Sequence, residues 1–139
     1  MTTYESDIKT ISSSEEMVFG VLSDLNNLQK ISNNPEINNK IKDLKFETDS
    51  VCFSIDGFGR VGFRIIEREP FKTIKLESEN TPIHINGWIQ LKQVSTNDTH
   101  MKLTLKADLP MMVKMMVDKK LKEGINAIAD VIAKTLSEH

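Results

Sequence analysis

One segment near the end of the chain determines most of the architecture: HMKLTLKADLPMMVKMMVDKKLKEGINAIADVIAKTL, residues 100–136. Its first part alternates apolar and polar residues, which predicts a strand over residues 100–107. After Leu109 and Pro110 the apolar spacing changes to three and four residues, which predicts one long helix over residues 110–136. A strand that leads directly into a long terminal helix indicates a helix packed across a sheet.

The predicted helix has a continuous apolar stripe with a glycine near its centre. The stripe consists of Val113, Val117, Leu121, Ile125, Ile128, Ile132 and Leu136. A glycine inside a helix costs about 1 kcal/mol relative to alanine. We therefore expect Gly124 to allow a close approach of the sheet.

The N-terminal third predicts one strand and two short helices. Residues 4–11 alternate as a half-exposed strand. Ser13 and Glu16 then fit a capping box, with Ser13 as the N-cap of a helix. Residues 35–42 form a second short helix with Pro35 near its first turn.

About 70 residues between these helices and the last strand alternate as strands. The turns are short, and Asp56-Gly57-Phe58-Gly59 is typical of a hairpin turn. Short turns leave no room for parallel crossovers, so the strands must pair antiparallel. The chain therefore predicts one α+β domain over residues 1–139: a bent antiparallel sheet of about six or seven strands wrapped around a long C-terminal helix, with two short helices after the first strand. Such a fold tends to leave an internal cavity.

Composition narrows the classes of partner. The chain has 139 residues, with 18 basic and 20 acidic side chains and a net charge of −2. This balance favours neither nucleic acid nor anionic membranes. Cys52 is the single cysteine, which fits a reducing compartment. With no visible signal peptide or apolar span, we expect a cytoplasmic protein without an integral membrane segment, either a monomer or a weak homodimer.

Three segments carry a resemblance to a known superfamily. They are SSEEMVFGVLSDL (residues 13–25), GWIQL (residues 87–91) and the final helix. Their order resembles the START-like superfamily of polyketide cyclase/dehydrase and lipid-transport proteins, whose founding fold is the helix-grip fold of the major birch pollen allergen. The likeness covers essentially the whole chain, and the chain looks most like the small bacterial members of this superfamily. In the family the first helix often has the form Glu-x-Val-Trp/Phe-x-x-Leu-x-Asp, which residues 16–24 match.

The resemblance implies a helix-grip fold but says little about activity, since this fold hosts carriers, cyclases, hormone receptors and chaperone cofactors. We predict that the cavity binds a small hydrophobic molecule, such as a lipid, an isoprenoid or a polyketide-like compound. Most of the binding energy would come from buried apolar surface. The predicted lining, which is also the predicted core, is Phe53, Ile55, Val61, Phe63, Ile65, Leu76, Ile85, Ile89, Leu105, Met112, Met116, Val117, Leu121 and Ile128.

Two further features each allow two interpretations. Met111, Met112, Met115 and Met116 lie within six residues at the start of the final helix. Methionine adapts to irregular apolar shapes, so this group indicates either ligand contact at the cavity entrance or ordinary packing. Trp88 is out of phase with the apolar face of its strand. It therefore lies on the outer face of the sheet, or a bulge at Gly87 turns it inward.

Catalytic and metal chemistry have little support in the sequence. The three histidines are far apart and there is one cysteine, so no pair has metal-ligand spacing. We expect no metal, no cofactor and no catalytic residue. Two alternatives stay open. A polyketide cyclase or dehydratase would need titratable groups converging in the cavity, whereas a protein-interaction module would use the outer sheet face around Trp88 and have a filled core.

Overall fold

The computed structural model describes residues 1–39, 41–55 and 58–137. Within this part of the chain, eight strands surround a long C-terminal helix. The strands are β1 (Thr2–Glu5), β2 (Lys9–Ile11), β3 (Lys42–Phe46), β4 (Ser50–Ile55), β5 (Gly59–Glu69), β6 (Thr73–Glu79), β7 (Ile85–Ser95) and β8 (Asp98–Ala107). The helices are α1 (Glu15–Leu22), a 3₁₀ helix (Leu25–Asn33), α2 (Pro35–Asn38) and α3 (Met111–Ser137).

The strands form one antiparallel sheet in the order β1-β8-β7-β6-β5-β4-β3, with β2 also paired to β8. Strands that follow one another from β3 to β8 are neighbours, as their short turns require. The N-terminal strands are the exception, because they cross to the other end of the sheet. There Thr2 lies opposite Ala107, and Ile11 lies opposite Thr99. The predicted helix-grip architecture is confirmed.

The predicted first strand is divided in two, which accounts for the eighth strand. Between β1 and β2, Ser6 takes over the pairing with β8 through its side chain. The backbone N–H of Leu103 donates to Ser6 Oγ at 2.9 Å, and the N–H of Ser6 donates to the Leu103 carbonyl at 2.9 Å. A hydroxyl that accepts the strand bond allows the backbone to bend there without losing its partner.

The helix starts and ends also differ from the prediction. Ser14, not Ser13, is the N-cap of α1, and its Oγ accepts from the N–H of Met17 at 3.2 Å. Ser13 instead is buried and donates to the carbonyl of Leu136 at 3.3 Å. α2 ends at Asn38, well before the predicted residue 42.

Residues 25–33 form a 3₁₀ helix rather than a continuation of α1. Leu25, Leu28 and Ile31 are its buried residues. Their spacing of three matches the period of a 3₁₀ helix, so all three face the core. The predicted hairpin turn begins at Asp56 and Gly57, which lie outside the described residues.

The C-terminal half of α3 is fastened to the N-terminal segment. Ser13 Oγ donates to the carbonyl of Leu136, and the N–H of Ser12 donates to Ser137 Oγ at 2.9 Å. Thr99 Oγ1 on β8 in turn holds Ser13 in place by donating to its carbonyl at 2.7 Å. The buried residues of this half include Ala127, Ala129, Val131 and Ala133, whose small side chains permit close packing. Further toward its N-terminus, the helix presents Val117 and Leu121 to the sheet.

Replacing Thr99 by valine tests this connection. Thr99 is fully buried, and valine keeps its shape while removing the donor to the Ser13 carbonyl. We expect a loss of roughly 1–3 kcal/mol in the free energy of unfolding, measured by denaturant titration. Thr104→Val is the matched control. Thr104 Oγ1 donates to the side chain of Gln90, which is partly exposed, so water can replace the lost hydrogen bond to Gln90. Equal losses in the two variants would contradict the assigned role of the Thr99 bond.

Candidate ligand-binding cavity

A cavity of about 130 Å³ lies between α3 and the concave face of the sheet. We call it the main cavity. Strands β3 to β8, the 3₁₀ helix and α3 all contribute to its wall. The lining residues are Leu25, Leu28, Ile41, Leu44, Phe46, Val51, Phe53, Ile55, Phe63, Leu76, Gly87, Trp88, Ile89, Leu103, Thr104, Leu105, Lys120, Leu121, Gly124, Ile125, Ile128 and Ile132.

A second space of about 20 Å³, the small cavity, lies toward the N-terminal end of α3. It shares Phe53, Ile55, Phe63, Leu105 and Leu121 with the main cavity, so these side chains separate the two. The rings of Phe53 and Phe63 are stacked, with centroids 6.0 Å apart and an interplanar angle of 22°. The small cavity is lined by Tyr4, Phe53, Ile55, Phe58, Val61, Phe63, Ile85, Leu105, Ala107, Leu109, Val117 and Leu121.

The lining follows from strand alternation together with one glycine. On β7, Ile85, Gly87 and Ile89 share the inner face. Gly87 lies opposite Leu105 on β8, and a Cβ added at Gly87 would be 3.2 Å from Leu105 Cδ2. The missing side chain therefore leaves room for Leu105 at the boundary of the two cavities.

Several inward-facing aliphatic side chains remain partly exposed. Leu103 and Leu105 on β8, and Leu121 and Ile128 on α3, pack against the core but are not fully buried. In a filled interior such side chains would be covered on every side. Their residual exposure is the signature of space that the protein's own residues do not occupy.

The structure brings together most of the residues predicted to line a cavity. Eleven of the fourteen line one of the two spaces: Phe53, Ile55, Val61, Phe63, Leu76, Ile85, Ile89, Leu105, Val117, Leu121 and Ile128. Ile65 is buried in the core without lining either space. That these residues bind a ligand stays a prediction.

Met112 and Met116 do not belong to the lining, which corrects the sequence prediction. They are 78% and 51% exposed. At 100° per residue, Met112 projects roughly opposite to Leu121, and Met116 is about 100° from Val117. Both therefore project away from the sheet while Val117 and Leu121 face it.

Trp88 lies on the outer face of the sheet, which settles the choice left open by the sequence. Its neighbours Gly87 and Ile89 face inward, and its indole ring lies beside two ammonium groups. Lys75 Nζ and Lys106 Nζ are each 5.7 Å from the ring centroid. Trp88 borders the main cavity because it lies in the strand between Gly87 and Ile89, which both face inward.

Gly124 has a different neighbour from the one predicted. A Cβ at this position would be 3.1 Å from Ile41 Cδ1 and 3.3 Å from Ile41 Cγ1. The glycine therefore admits Ile41, which precedes β3, rather than a residue within the sheet. Sequence reasoning also missed Leu25 and Leu28 as lining residues, although their three-residue spacing was a usable signal.

Tyr4 carries the one clear polar interaction at the small cavity. Its ring is buried, and Tyr4 Oη donates to Asp118 Oδ1 at 2.9 Å. Burial, followed by the bond to Asp118, raises the pKa of Tyr4 to about 12. The same bond, followed by that from Lys122 Nζ at 3.2 Å, lowers the pKa of Asp118. The phenol thus stays protonated and committed to Asp118 at neutral pH.

The titration of Tyr4 can be observed directly, because it is the one tyrosine of the chain. We expect its phenolate absorbance to appear with a midpoint near pH 12, against the usual value of 10.0. Because the pKa is raised on folding, the associated stability is present below pH 10 and is lost as the pH rises through 12. Asp118→Asn should lower the midpoint only in part, since burial is the larger cause. A midpoint near 10 in the folded protein would refute the assigned environment.

Comparison with solved structures identifies the architecture. A START superfamily protein from Mycobacterium smegmatis aligns with a TM-score of 0.59 at 13% identity, covering 96% of this chain and 98% of that one. Norcoclaurine synthase from Thalictrum flavum, in complex with dopamine and hydroxybenzaldehyde, aligns with a TM-score of 0.69 at 14% identity over 99% of this chain and 87% of that one. The fold is START-like. A Mesorhizobium loti protein matches it similarly, with a TM-score of 0.64, 15% identity, and 97% and 96% coverage.

The START-like assignment rests on three-dimensional structure alone. No protein-family model matches the sequence, and the comparison with curated proteins gives no match. At identities near 14% the solved structures establish the shared fold and not a shared activity. None of the described helices has the length and apolar character needed to span a membrane.

Proposed function

We propose that this chain reversibly binds a small apolar molecule in the main cavity. The observation that carries the proposal is an unfilled space of about 130 Å³ whose wall is almost entirely aliphatic and aromatic. The START-like fold supports it, because a sheet curled around a helix builds such a space. Desolvation of the ligand and of the cavity wall would supply the binding energy.

The polar groups of the lining argue for an apolar ligand. Apart from Trp88, whose side chain points outward, the described lining residues with a polar group at the end of the side chain are Tyr4, Thr104 and Lys120. Tyr4 donates to Asp118, and Thr104 donates to Gln90 on the outer face. Each buried side-chain nitrogen or oxygen of the described residues already has a hydrogen-bond partner. A ligand rich in hydroxyl or carboxyl groups would therefore lose its hydration without compensation.

The size of the main cavity limits the ligand in this conformation. An engineered apolar cavity of roughly 150 Å³ in another protein binds benzene. A space of about 130 Å³ suits one aromatic ring or a short hydrocarbon chain. A larger lipid or polyketide-like ligand would need Phe53 and Phe63 to move, which would join the main cavity to the small one.

The enzyme alternative has less support. Norcoclaurine synthase shares the fold and is a synthase, but at 14% identity its activity does not transfer. A cyclase or dehydratase needs an acid and a base that reach the substrate. The titratable groups of the described lining are Tyr4, committed to Asp118, and Lys120. The interaction-module alternative is disfavoured too, because lysines flank Trp88 and the core is not filled.

Native mass spectrometry of the purified protein is the first test of the proposal. We expect a reproducible adduct that disappears in the denatured spectrum, whose mass identifies the class of ligand. The protein should then be stripped and titrated with a single-ring aromatic probe such as toluene, with binding followed by calorimetry. Failure both to carry an adduct and to bind the probe would reject the proposal.

A cavity-filling variant locates the binding site. Leu103 lines the main cavity only and is incompletely buried, so Leu103→Phe adds volume into open space. We expect the probe to bind at least about tenfold more weakly, while the thermal midpoint stays equal or rises as the void is filled. Ile66→Phe is the matched control, because Ile66 is 47% exposed on β5 and lies outside the cavities. Equal probe affinity in Leu103→Phe and the unmodified protein would place binding elsewhere.

A further inference from the structure

The largest apolar side chains exposed on the described surface include four methionines on the first two turns of α3. Met111, Met112, Met115 and Met116 are 72%, 78%, 77% and 51% exposed. We call these four residues the methionine patch. Exposed apolar side chains are common singly, but a contiguous group marks an interaction surface. Methionine is over-used on surfaces that adapt to varied partners.

Helix geometry concentrates the patch on one side. Met112 and Met115 lie within about 60° of each other, and Lys119 projects between them one turn further along. The opposite side of the same turns carries Val117 and Leu121, which line the cavities. The beginning of α3 is therefore apolar on both sides, whereas its C-terminal half is apolar only on the side facing the core.

Lysines border the methionine patch on its C-terminal side and give this segment a local charge. Residues 111–123 contain four lysines and two acidic residues, a net of +2 in a chain whose total is −2. Lys119 and Lys122 are well exposed, although they pair with Glu123 and Asp118. Apolar side chains bordered by lysines suit an anionic bilayer, where the methionines enter the acyl boundary and the lysines meet the headgroups.

The shape of the patch also favours a bilayer over a second copy of the chain. The four side chains protrude from the start of the helix, and none of them lines the main or the small cavity. At their exposed fractions they present on the order of 500 Å², below the roughly 800 Å² per partner of a stable protein interface. A fluid lipid surface needs no complementary pocket and accepts flexible protruding side chains.

We propose that the methionine patch docks the protein peripherally on anionic lipid membranes. Docking there would place the start of α3, and the cavities beneath Val117 and Leu121, against the bilayer. The proposal goes beyond ligand binding, and the two can fail separately.

Vesicle sedimentation with the full chain tests the proposal. The probes are phosphatidylcholine vesicles with and without phosphatidylglycerol at a quarter of the lipid. We expect binding to the anionic vesicles that weakens with added salt, and at least about tenfold weaker binding for the double variant Met112→Gln/Met115→Gln. The double variant Lys119→Gln/Lys122→Gln should lose the preference for anionic lipid, because these two exposed lysines lie on the same side of the helix as Met112 and Met115.

Two variants serve as controls. Met17→Gln makes the same replacement at a helical methionine that is 40% exposed on α1, and it should bind vesicles like the unmodified protein. Leu103→Phe should keep vesicle binding even if it loses the cavity probe, which separates docking from ligand binding. Circular dichroism should show all variants folded, since the substituted methionines are exposed.

Three results would overturn the proposal. One is the absence of binding to anionic vesicles, and another is unchanged binding in Met112→Gln/Met115→Gln. The third is a concentration-dependent dimer in sedimentation equilibrium that this double variant abolishes while no vesicles bind. That third result would make the methionine patch a self-association surface instead.

Discussion

The rest of the structure depends on how the C-terminal end of α3 is held over the sheet. There, alanines face the core, and the buried chain of bonds from Thr99 through Ser13 to Leu136 holds the helix near β2 and β8. Along the middle of the helix, Leu121, Ile125 and Ile128 face the concave side of the sheet, and the main cavity lies between these side chains and the strands.

The three surfaces of the molecule have different chemistry. The inner face of the sheet is aliphatic and aromatic and has few polar groups, which suits a ligand held by desolvation. The outer face carries charged strands, and Trp88 there is covered by lysines and not by apolar neighbours. The start of α3 has an exposed apolar group on a helix that is otherwise amphipathic. Each buried side-chain nitrogen or oxygen of the described residues has a hydrogen-bond partner within the protein.

Much of this fold could be predicted from the sequence, because its elements have strong periodicity. The alternation in β5 to β8 and the three-and-four spacing of α3 gave the architecture and most of the lining. The features that could not be predicted depend on competition between side-chain and backbone hydrogen bonds, or on the direction in which a side chain projects. The Ser6 hydroxyl competes with the backbone and divides the first strand, and two adjacent serines are nearly equivalent as N-caps.

The misplaced methionines show the limit of composition as a guide. Met112 and Met116 were predicted to line the cavity from their composition and i, i+4 spacing, but only residues at the angle of Val117 and Leu121 can face it. Gly124 shows a similar limit, since a glycine predicts close approach without identifying the neighbour. Ile41 became that neighbour through the path of the chain after α2, which no local pattern encodes.

The placement of the N-terminal strands has a consequence for biosynthesis. β1 and β2 are made first, yet their partner β8 follows about ninety residues later. The Ser13 hydroxyl then needs the carbonyl of Leu136, almost at the end of α3. While the chain emerges from the ribosome, the hairpins from β3 to β7 can form in order, but the edge of the sheet must wait. Closure around the interior is therefore a late, long-range event, and the nascent chain exposes its aliphatic face until α3 has been made.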